Sequence, residues 1–302
     1  KDTGARCATY KDYTKLLHSN IDAVVIASPN AMHAEMAMAA ARCGEHIYCE
    51  KPMALTIDDC RRVRETVEKK PVKFLVGYHR RLNPLYLYAK TLLESGKIGK
   101  PFMVESDYFH HIPGDWDIWK WLGKESIAGS LFHAGSGHNV DLIRYFCGDI
   151  SEVTCMKDIF LPRAEQVETE DTAIAIFRFE NGAIGKVQCC IGAIVPFQFN
   201  FKLFGTKGTV VNNHVWLDTI PHFDEPEHAN DCIELPTSWI PDNVPGGVSE
   251  TWGKLMEHFI AMLKDDVPCI NDVESAYKTS IACFATMEAA KRNEVISVKE
   301  ME

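Results

Sequence analysis

The stretch Ile21-Asp22-Ala23-Val24-Val25-Ile26-Ala27 is a short, mostly apolar run that breaks off at Ser28-Pro29-Asn30. An apolar run of strand length ending at a Ser-Pro-Asn loop reads as a strand buried on both faces. Ala31 to Cys43 follows with Ala and Met at helical spacing, closed by Gly44, the residue type that ends helices in the left-handed conformation. A second strand, His46-Ile47-Tyr48-Cys49, runs into Glu50-Lys51-Pro52. Thr56-Ile57-Asp58-Asp59 opens a helix through about Lys69, and Lys73-Phe74-Leu75-Val76-Gly77 is a third strand. Strand, helix, strand, helix, strand at this spacing predicts α/β architecture with a doubly wound parallel sheet.

Beyond a helix from about Asn83 to Leu93 that ends at Ser95-Gly96, the texture changes at Pro101. Longer alternating strands are expected at 102–109, 153–161, 173–179 and 183–191, with Glu180-Asn181-Gly182 as a hairpin turn. Phe199 to Phe204 and Thr209 to Val215 flank Gly205-Thr206-Lys207-Gly208 as another hairpin. No crossover helices separate these strands, so a large, mainly antiparallel sheet is expected. Trp252 to Lys264 and Val273 to Arg292 read as amphipathic helices, and the proline-rich region 223–247 as a loop. The expected division is 1–100 for the parallel domain and 101–302 for an α+β domain.

Composition narrows the functional classes. Of 302 residues, 32 are Lys or Arg and 42 Asp or Glu, a net charge of −10, which suits nucleic acid poorly. No apolar run approaches the ~20 residues of a membrane span, so no membrane partner is expected. Eleven cysteines without a C-x-x-C pair favour reduced thiols and a cytoplasmic location over disulfides or a zinc site. A chain of this size buries roughly three quarters of its unfolded surface and needs no covalent staples.

In open parallel sheets ligands bind outside the carboxyl ends of the strands, where Ser28 to His33 and Glu50 to Pro52 lie. A lysine there is placed to hold a substrate oxygen as negative charge develops on it. Glu50 would orient that lysine or bond a cofactor, and Pro52 fixes the backbone, with a cis bond as one way to do so. From spacing alone, a solvated Glu-Lys loop pair reads equally well.

Ser28-Pro29-Asn30-Ala31-Met32-His33, Cys49-Glu50-Lys51-Pro52, Gly77-Tyr78-His79-Arg80-Arg81-Leu82-Asn83-Pro84 and Leu93-Glu94-Ser95-Gly96-Lys97-Ile98-Gly99-Lys100-Pro101 occur in this order. Gly129-Ser130-Leu131 through His138-Asn139-Val140-Asp141 follows. The ordered set resembles the Gfo/Idh/MocA family of NAD(P)-dependent oxidoreductases. The resemblance covers nearly the whole chain and implies a partial Rossmann-type sheet, hydride transfer between NAD or NADP and a carbinol carbon of a sugar or cyclic polyol, and a homodimer or homotetramer formed through the second sheet. It implies Lys51 and His138 as catalytic residues. Ser28, Pro29, Asn30, His33, Glu50, Lys51, Pro52 and Arg80 are the expected cofactor contacts, and Lys51, His133, His138, Trp116 and Trp119 are the residues expected to face the substrate. A non-catalytic cofactor-binding sensor and an NAD-dependent glycosidase share the fold and are the alternative functions.

A histidine suits proton exchange at working pH, and Asp141, a turn later, is placed to order it or the helix start. The alternative is a structural histidine in a glycine-rich turn. The family often carries Asp four residues before that histidine; here the position is Ala134, beside His133, which is the candidate replacement. Trp116, Trp119 and Trp121, with His110, His111 and Asp117, read either as a sugar-stacking wall or as packing residues. Arg80 and Arg81 read as an anion clamp or as salt-bridge partners, and no metal is expected. Gly135-Ser136-Gly137 has Val140 where a dinucleotide fingerprint needs its third glycine, and no other glycine-rich phosphate loop occurs. The expectation is that a strand, glycine loop, helix and strand precede Lys1 in the protein, carrying the residue that separates NAD from NADP.

Overall fold

The computed structural model describes residues 7–111, 117, 119–160, 167–220, 225, 231–236 and 250–302. After a short helix α1 (Tyr13–Leu17), β1 (Ala23–Ile26), β2 (His46–Cys49) and β3 (Phe74–Val76) form a three-stranded parallel sheet in that order. Helices α2 (His33–Cys43) and α3 (Ile57–Glu68) are the crossovers. Gly44 ends α2 with φ +89°, a left-handed conformation that costs a Cβ-bearing residue about 1 kcal/mol or more. The Thr56 hydroxyl accepts from the Asp59 amide at 3.0 Å and caps α3. The Asn83 side chain accepts from the Leu85 amide, and Pro84 occupies the first turn of α4 (Pro84–Glu94).

The second sheet begins with β4 (Pro101–Phe109). Short helices α5 (Trp119–Leu122) and α6 (Glu125–Ala128) lead to a π-helical turn, Phe132–Ser136, that runs straight into α7 (Gly137–Cys147). Then come β5 (Ile150–Asp158), β6 (Thr172–Phe179), β7 (Ile184–Cys190), β8 (Gln198–Gly205), β9 (Gly208–Val211), β10 (His214–Leu217) and the two-residue β11 (Ile233–Glu234). Helices α8 (Glu250–Asp265) and α9 (Val273–Arg292) and the short β12 (Ile296–Ser297) complete the fold. The spatial order is β11-β10-β9-β8-β4-β7-β6-β5-β12, and every pair is antiparallel except β4 with β7.

Two boundaries differ from the sequence reading. Strand β5 starts at Ile150, three residues earlier than expected, and the part of the expected strand at Leu161 lies outside the described residues. The run 209–215 is two strands, because Asn212 adopts φ +49° and turns the chain; asparagine is among the few non-glycine residues that tolerate this region. Most of the proline-rich region 223–247 also lies outside the described residues.

Burial follows the alternation. In β6, Ala173, Ala175, Phe177 and Phe179 face the core, while Ile174 and Ile176 face outward. Helix α8, read from sequence as belonging to the second part, packs Leu255, Phe259 and Met262 onto Tyr48 and Leu75 of the parallel sheet. Each such buried side chain contributes about 1.5–3 kcal/mol. The two sheets are therefore bound by the C-terminal helices as well as by the chain between them. All eleven cysteines are free thiols, and no helix among the described residues is long and apolar enough to cross a membrane.

Candidate active site

The loops after β1 and β2 lie side by side at the carboxyl end of the parallel sheet. His33 joins them: Nδ1 lies 2.7 Å from the Pro52 carbonyl oxygen and Nε2 2.9 Å from that of Ser28. Asn30 donates through Nδ2 to the Ala128 carbonyl of α6 at 2.9 Å. His33, Asn30 and Pro52 are buried and hold the two loops together at the place where the sequence puts cofactor contacts. Ser28, Pro29, Glu50 and Lys51 keep exposed surface there. The Lys51–Pro52 peptide is cis.

Glu50 is fitted into the sheet end. Its Oε1 accepts from the Tyr48 hydroxyl at 3.0 Å. A Cβ on Gly77 would lie 2.8 Å from Glu50 Oε2 and 3.2 Å from Glu50 Cα, so only glycine leaves room there. Lys51 reaches across to the second sheet's side of the molecule, where Nζ donates to the Ala134 carbonyl oxygen at 2.5 Å. Burial lowers the proton affinity of Lys51, the neighbouring Glu50 opposes this, and Arg80 adds to it.

His138 opens the first turn of α7, four residues after Ala134. Its ring meets that of His79 edge-on, with centroids 4.7 Å apart, and that of Tyr78 at 5.7 Å. Nδ1 is shut off from solvent without a hydrogen-bond partner, leaving Nε2 as the nitrogen available to a substrate. Burial drives the proton affinity of His138 well below the ordinary histidine range, with His79, Lys51 and Arg80 adding to the effect. His79, which the sequence reading left without a role, is held by Thr251 of α8 at 2.6 Å. Its sequence signals are its place just past the end of the third parallel strand and within the motif Gly77 to Pro84.

Several expected roles change. Asp141 does not touch His138; it takes a two-pronged ion pair from Arg81 (Nε to Oδ2 2.8 Å, Nη2 to Oδ1 2.6 Å) and bonds from Asn271 and Thr279. Arg81 is thus a salt-bridge partner and not an anion clamp. His133 turns its ring against Phe284 of α9, centroids 4.9 Å apart, and burial followed by Lys51 pushes its pKa down to about 3. It is a buried histidine kept neutral, packed beside the turn that carries Ala134. Trp119 is 6% exposed and belongs to the hydrophobic core, the packing alternative of the two readings, and Trp116 lies outside the described residues. Arg80 places its guanidinium 4.1 Å over the Phe199 ring, on the side of the second sheet. Among the described residues no group of three or more His, Cys, Asp or Glu is placed to hold a metal ion.

A parallel sheet thus presents a lysine at one strand end, next to a histidine on the helix that covers the second sheet, and the family models make the chain an oxidoreductase. Residues 2–78 match the oxidoreductase family with an NAD-binding Rossmann fold, and residues 86–211 match the GFO/IDH/MocA C-terminal domain. The chain belongs to the GFO/IDH/MocA family of oxidoreductases. It is 33% identical over 238 residues to an uncharacterized oxidoreductase of Bacillus subtilis (74% of this chain, 68% of the relative). It is 29% identical over 224 residues to myo-inositol 2-dehydrogenase of Thermotoga maritima (72% and 64%). The structure of a levoglucosan dehydrogenase in complex with NADH and levoglucosan superposes with a TM-score of 0.83 at 25% identity, covering 95% of this chain and 83% of the other. The chain therefore spans about two thirds of the length of the two sequence relatives.

Proposed function

We propose that this protein oxidises a secondary alcohol of a sugar or cyclic polyol to the ketone, with NAD as the acceptor, and catalyses the reverse reduction. The open surface of Ser28, Pro29, Glu50 and Lys51 at the strand ends fits the nicotinamide end of the dinucleotide. Held there, the dinucleotide would supply the hydride acceptor for the carbinol carbon. Lys51 donates a hydrogen bond to the substrate oxygen and stabilises the charge that develops on it. His138 takes the hydroxyl proton at Nε2, for which a neutral imidazole is required. Arg80, over Phe199, lies on the same side, where its expected partner is the cofactor.

The observation that carries this reading is the bond from Lys51 Nζ to the carbonyl of Ala134, one helical turn before His138. It brings a lysine of the parallel sheet and a histidine of the second sheet's helix to one point. The relatives' own activities, on myo-inositol and levoglucosan, support the substrate class. The test is NADH formation with a panel of inositols, anhydrosugars and pyranoses. Wild-type turnover on at least one, reduced about 10²–10³-fold by Lys51→Ala with NADH affinity nearly unchanged, is expected. Equal turnover in the variant would refute the role of Lys51.

The division at residue 100 describes the two sheets, a second copy of the chain covers the outer face of the larger sheet, and the free thiols fit a cytoplasmic setting.

A further inference from the structure

The residues that place Lys51 do not end at Ala134. The Ala134 carbonyl belongs to the π-helical turn Phe132–Ser136, a conformation rare enough that something must hold it. The holder is Glu170, a side chain only 4% exposed that lies two residues before β6. Its Oε1 accepts from the Phe132 amide at 2.7 Å and from the Ser130 hydroxyl at 2.8 Å, and its Oε2 accepts from Lys157 Nζ at 2.9 Å. Ser130 in turn accepts at its hydroxyl from the His133 amide at 3.1 Å and at its carbonyl from the Ala134 amide at 2.9 Å. Thr169, beside Glu170, accepts from the Leu131 amide at 3.2 Å. Three successive amides at the start of the turn are thus satisfied, two directly and one through Ser130, by two adjacent side chains from the edge of β6.

We infer that Glu170 is a positioning residue for Lys51: its buried carboxyl group anchors the π-turn whose middle carbonyl, that of Ala134, is the hydrogen-bond acceptor of the Lys51 ammonium group. The inference rests on the proposed function only in giving Lys51 a task; the connection itself is geometric. Position 134 carries no side-chain acceptor, so the main chain is what Lys51 finds there, and main-chain direction depends on the phase of the helix. Converting the π-turn to an α-turn removes one residue from the loop of each hydrogen bond and rotates the carbonyls about the axis. Released from Glu170, the turn is free to make that change, and Ala134 O leaves Lys51. Gly135 beside the Tyr108 ring and His133 on Phe284 limit how far the turn moves, so the change expected is a local redirection of the Ala134 carbonyl.

The sign of the effect on Lys51 follows from what surrounds it. A hydrogen bond accepted from the ammonium form favours that form. Burial and Arg80 already disfavour it, and Glu50 favours it. His133 and His138 face it from the π-turn and α7, and His79 from beyond β3; each of the three is itself held neutral by burial with Lys51 contributing. Loss of the Ala134 acceptor therefore makes Lys51 give up its proton at lower pH.

The measurement is the pH titration of the Lys51 Cε resonance in protein labelled with ¹³C-lysine, assigned with Lys51→Arg, in the wild type, Glu170→Ala and Glu170→Gln. Glu170→Ala is expected to titrate about one pH unit lower, since losing one charged hydrogen bond is worth about tenfold or more. Glu170→Gln, which keeps an acceptor for Phe132 and Ser130, is expected to restore most of the shift. In turnover the same shift appears as an alkaline limb moved to lower pH. Identical Lys51 titrations in all three proteins overturn the inference. If Glu170→Ala does not fold, Ser130→Ala replaces it, with a smaller shift in the same direction expected and no shift counting against the inference. A wild type that oxidises no polyol refutes the proposed function, while the titration still decides the role of Glu170.

Discussion

Arg81 and Asp141 meet in a buried, two-pronged ion pair that ties the segment leaving the parallel sheet to the helix carrying His138. Arg81 also donates to the Ile270 carbonyl and the Ser275 hydroxyl, so one guanidinium joins three separate parts of the chain. The pair is 8% and 0% exposed on its two sides. A buried pair adds little over a well-packed apolar substitute, but breaking one side leaves a charge without a partner.

Arg81→Met is therefore expected to cost about 3–5 kcal/mol of stability, because it strands the Asp141 carboxylate with only Asn271 and Thr279 beside it. Denaturant unfolding of the variant against the wild type checks this. A loss below about 1 kcal/mol, the size of an exposed pair, would show that the segment does not depend on the pair.

Stability is expected to fall in mild acid because of buried neutral histidines. Burial lowers the proton affinity of His79, His133 and His138 in the folded chain, with the nearby cations Lys51 and Arg80 contributing at His79 and His138, and Lys51 at His133. Their unfolded counterparts take up protons near pH 6.5. The stabilisation is complete above that pH and is lost as pH falls below it, for His133 down to its folded value of about 3. Each histidine contributes a slope of up to about 1.4 kcal/mol per pH unit. His133→Phe removes one titrating group, so its stability is expected to fall less than that of the wild type between neutral and mildly acid pH. Parallel curves for the two proteins would rule out His133 as a contributor.

Legibility in the sequence depended on how far apart the determinants lie. Strand β2 is bounded within a few residues by Gly44 and by Glu50-Lys51-Pro52, and it falls where the pattern places it. The run 209–215 misled because Asn212 and Asn213 sit between residues that continue the apolar alternation, and the turn depends on a single left-handed residue. Lys51 and His138 stand out in the sequence through motif order, and the fold brings their elements together. The partners that place them do not stand out: Glu170 lies 38 residues from Phe132, and Asp141 lies 60 from Arg81 and 138 from Thr279. His79 sat within a quoted motif, yet only the fold brings its ring against His138. Residue type leaves Trp119 open between a sugar platform and a packing residue, and only the fold shows it buried in the core.

Gly77→Ala is expected to disturb the site from behind. The added methyl group would meet Glu50 at both its carboxyl oxygen and its Cα, and the Cα belongs to main chain at the end of β2 that cannot swing aside. Overpacking of this kind costs about 1–3 kcal/mol, and relief by moving Glu50 also moves Lys51. The expected result is a lower melting temperature with kcat reduced more than KM raised. A variant with wild-type kcat would show that Lys51 is held independently of the Glu50 backbone.

The outer face of the larger sheet carries the last prediction. Met156 on β5 and Ile174 on β6 are direct cross-strand partners, and Ile176 lies two residues along β6 on the same face. They are 78%, 43% and 54% exposed. Lys186 sits opposite Ile176 on β7, and it, Glu105 and Lys202 form a charged row beside the apolar residues. A contiguous apolar strip with a charged border resembles a subunit interface more than ordinary solvent-facing surface, and a second copy brings the same strip to meet it. Burying these side chains against a partner is worth about 1.5–3 kcal/mol each, so a charge in their midst must be costly. Ile176→Lys is expected to shift the protein toward the monomer in light scattering after size-exclusion chromatography, with its far-ultraviolet circular dichroism unchanged. If the wild type is already monomeric under the same conditions, the apolar strip is not a self-association surface, and the proposal that a second copy covers it fails.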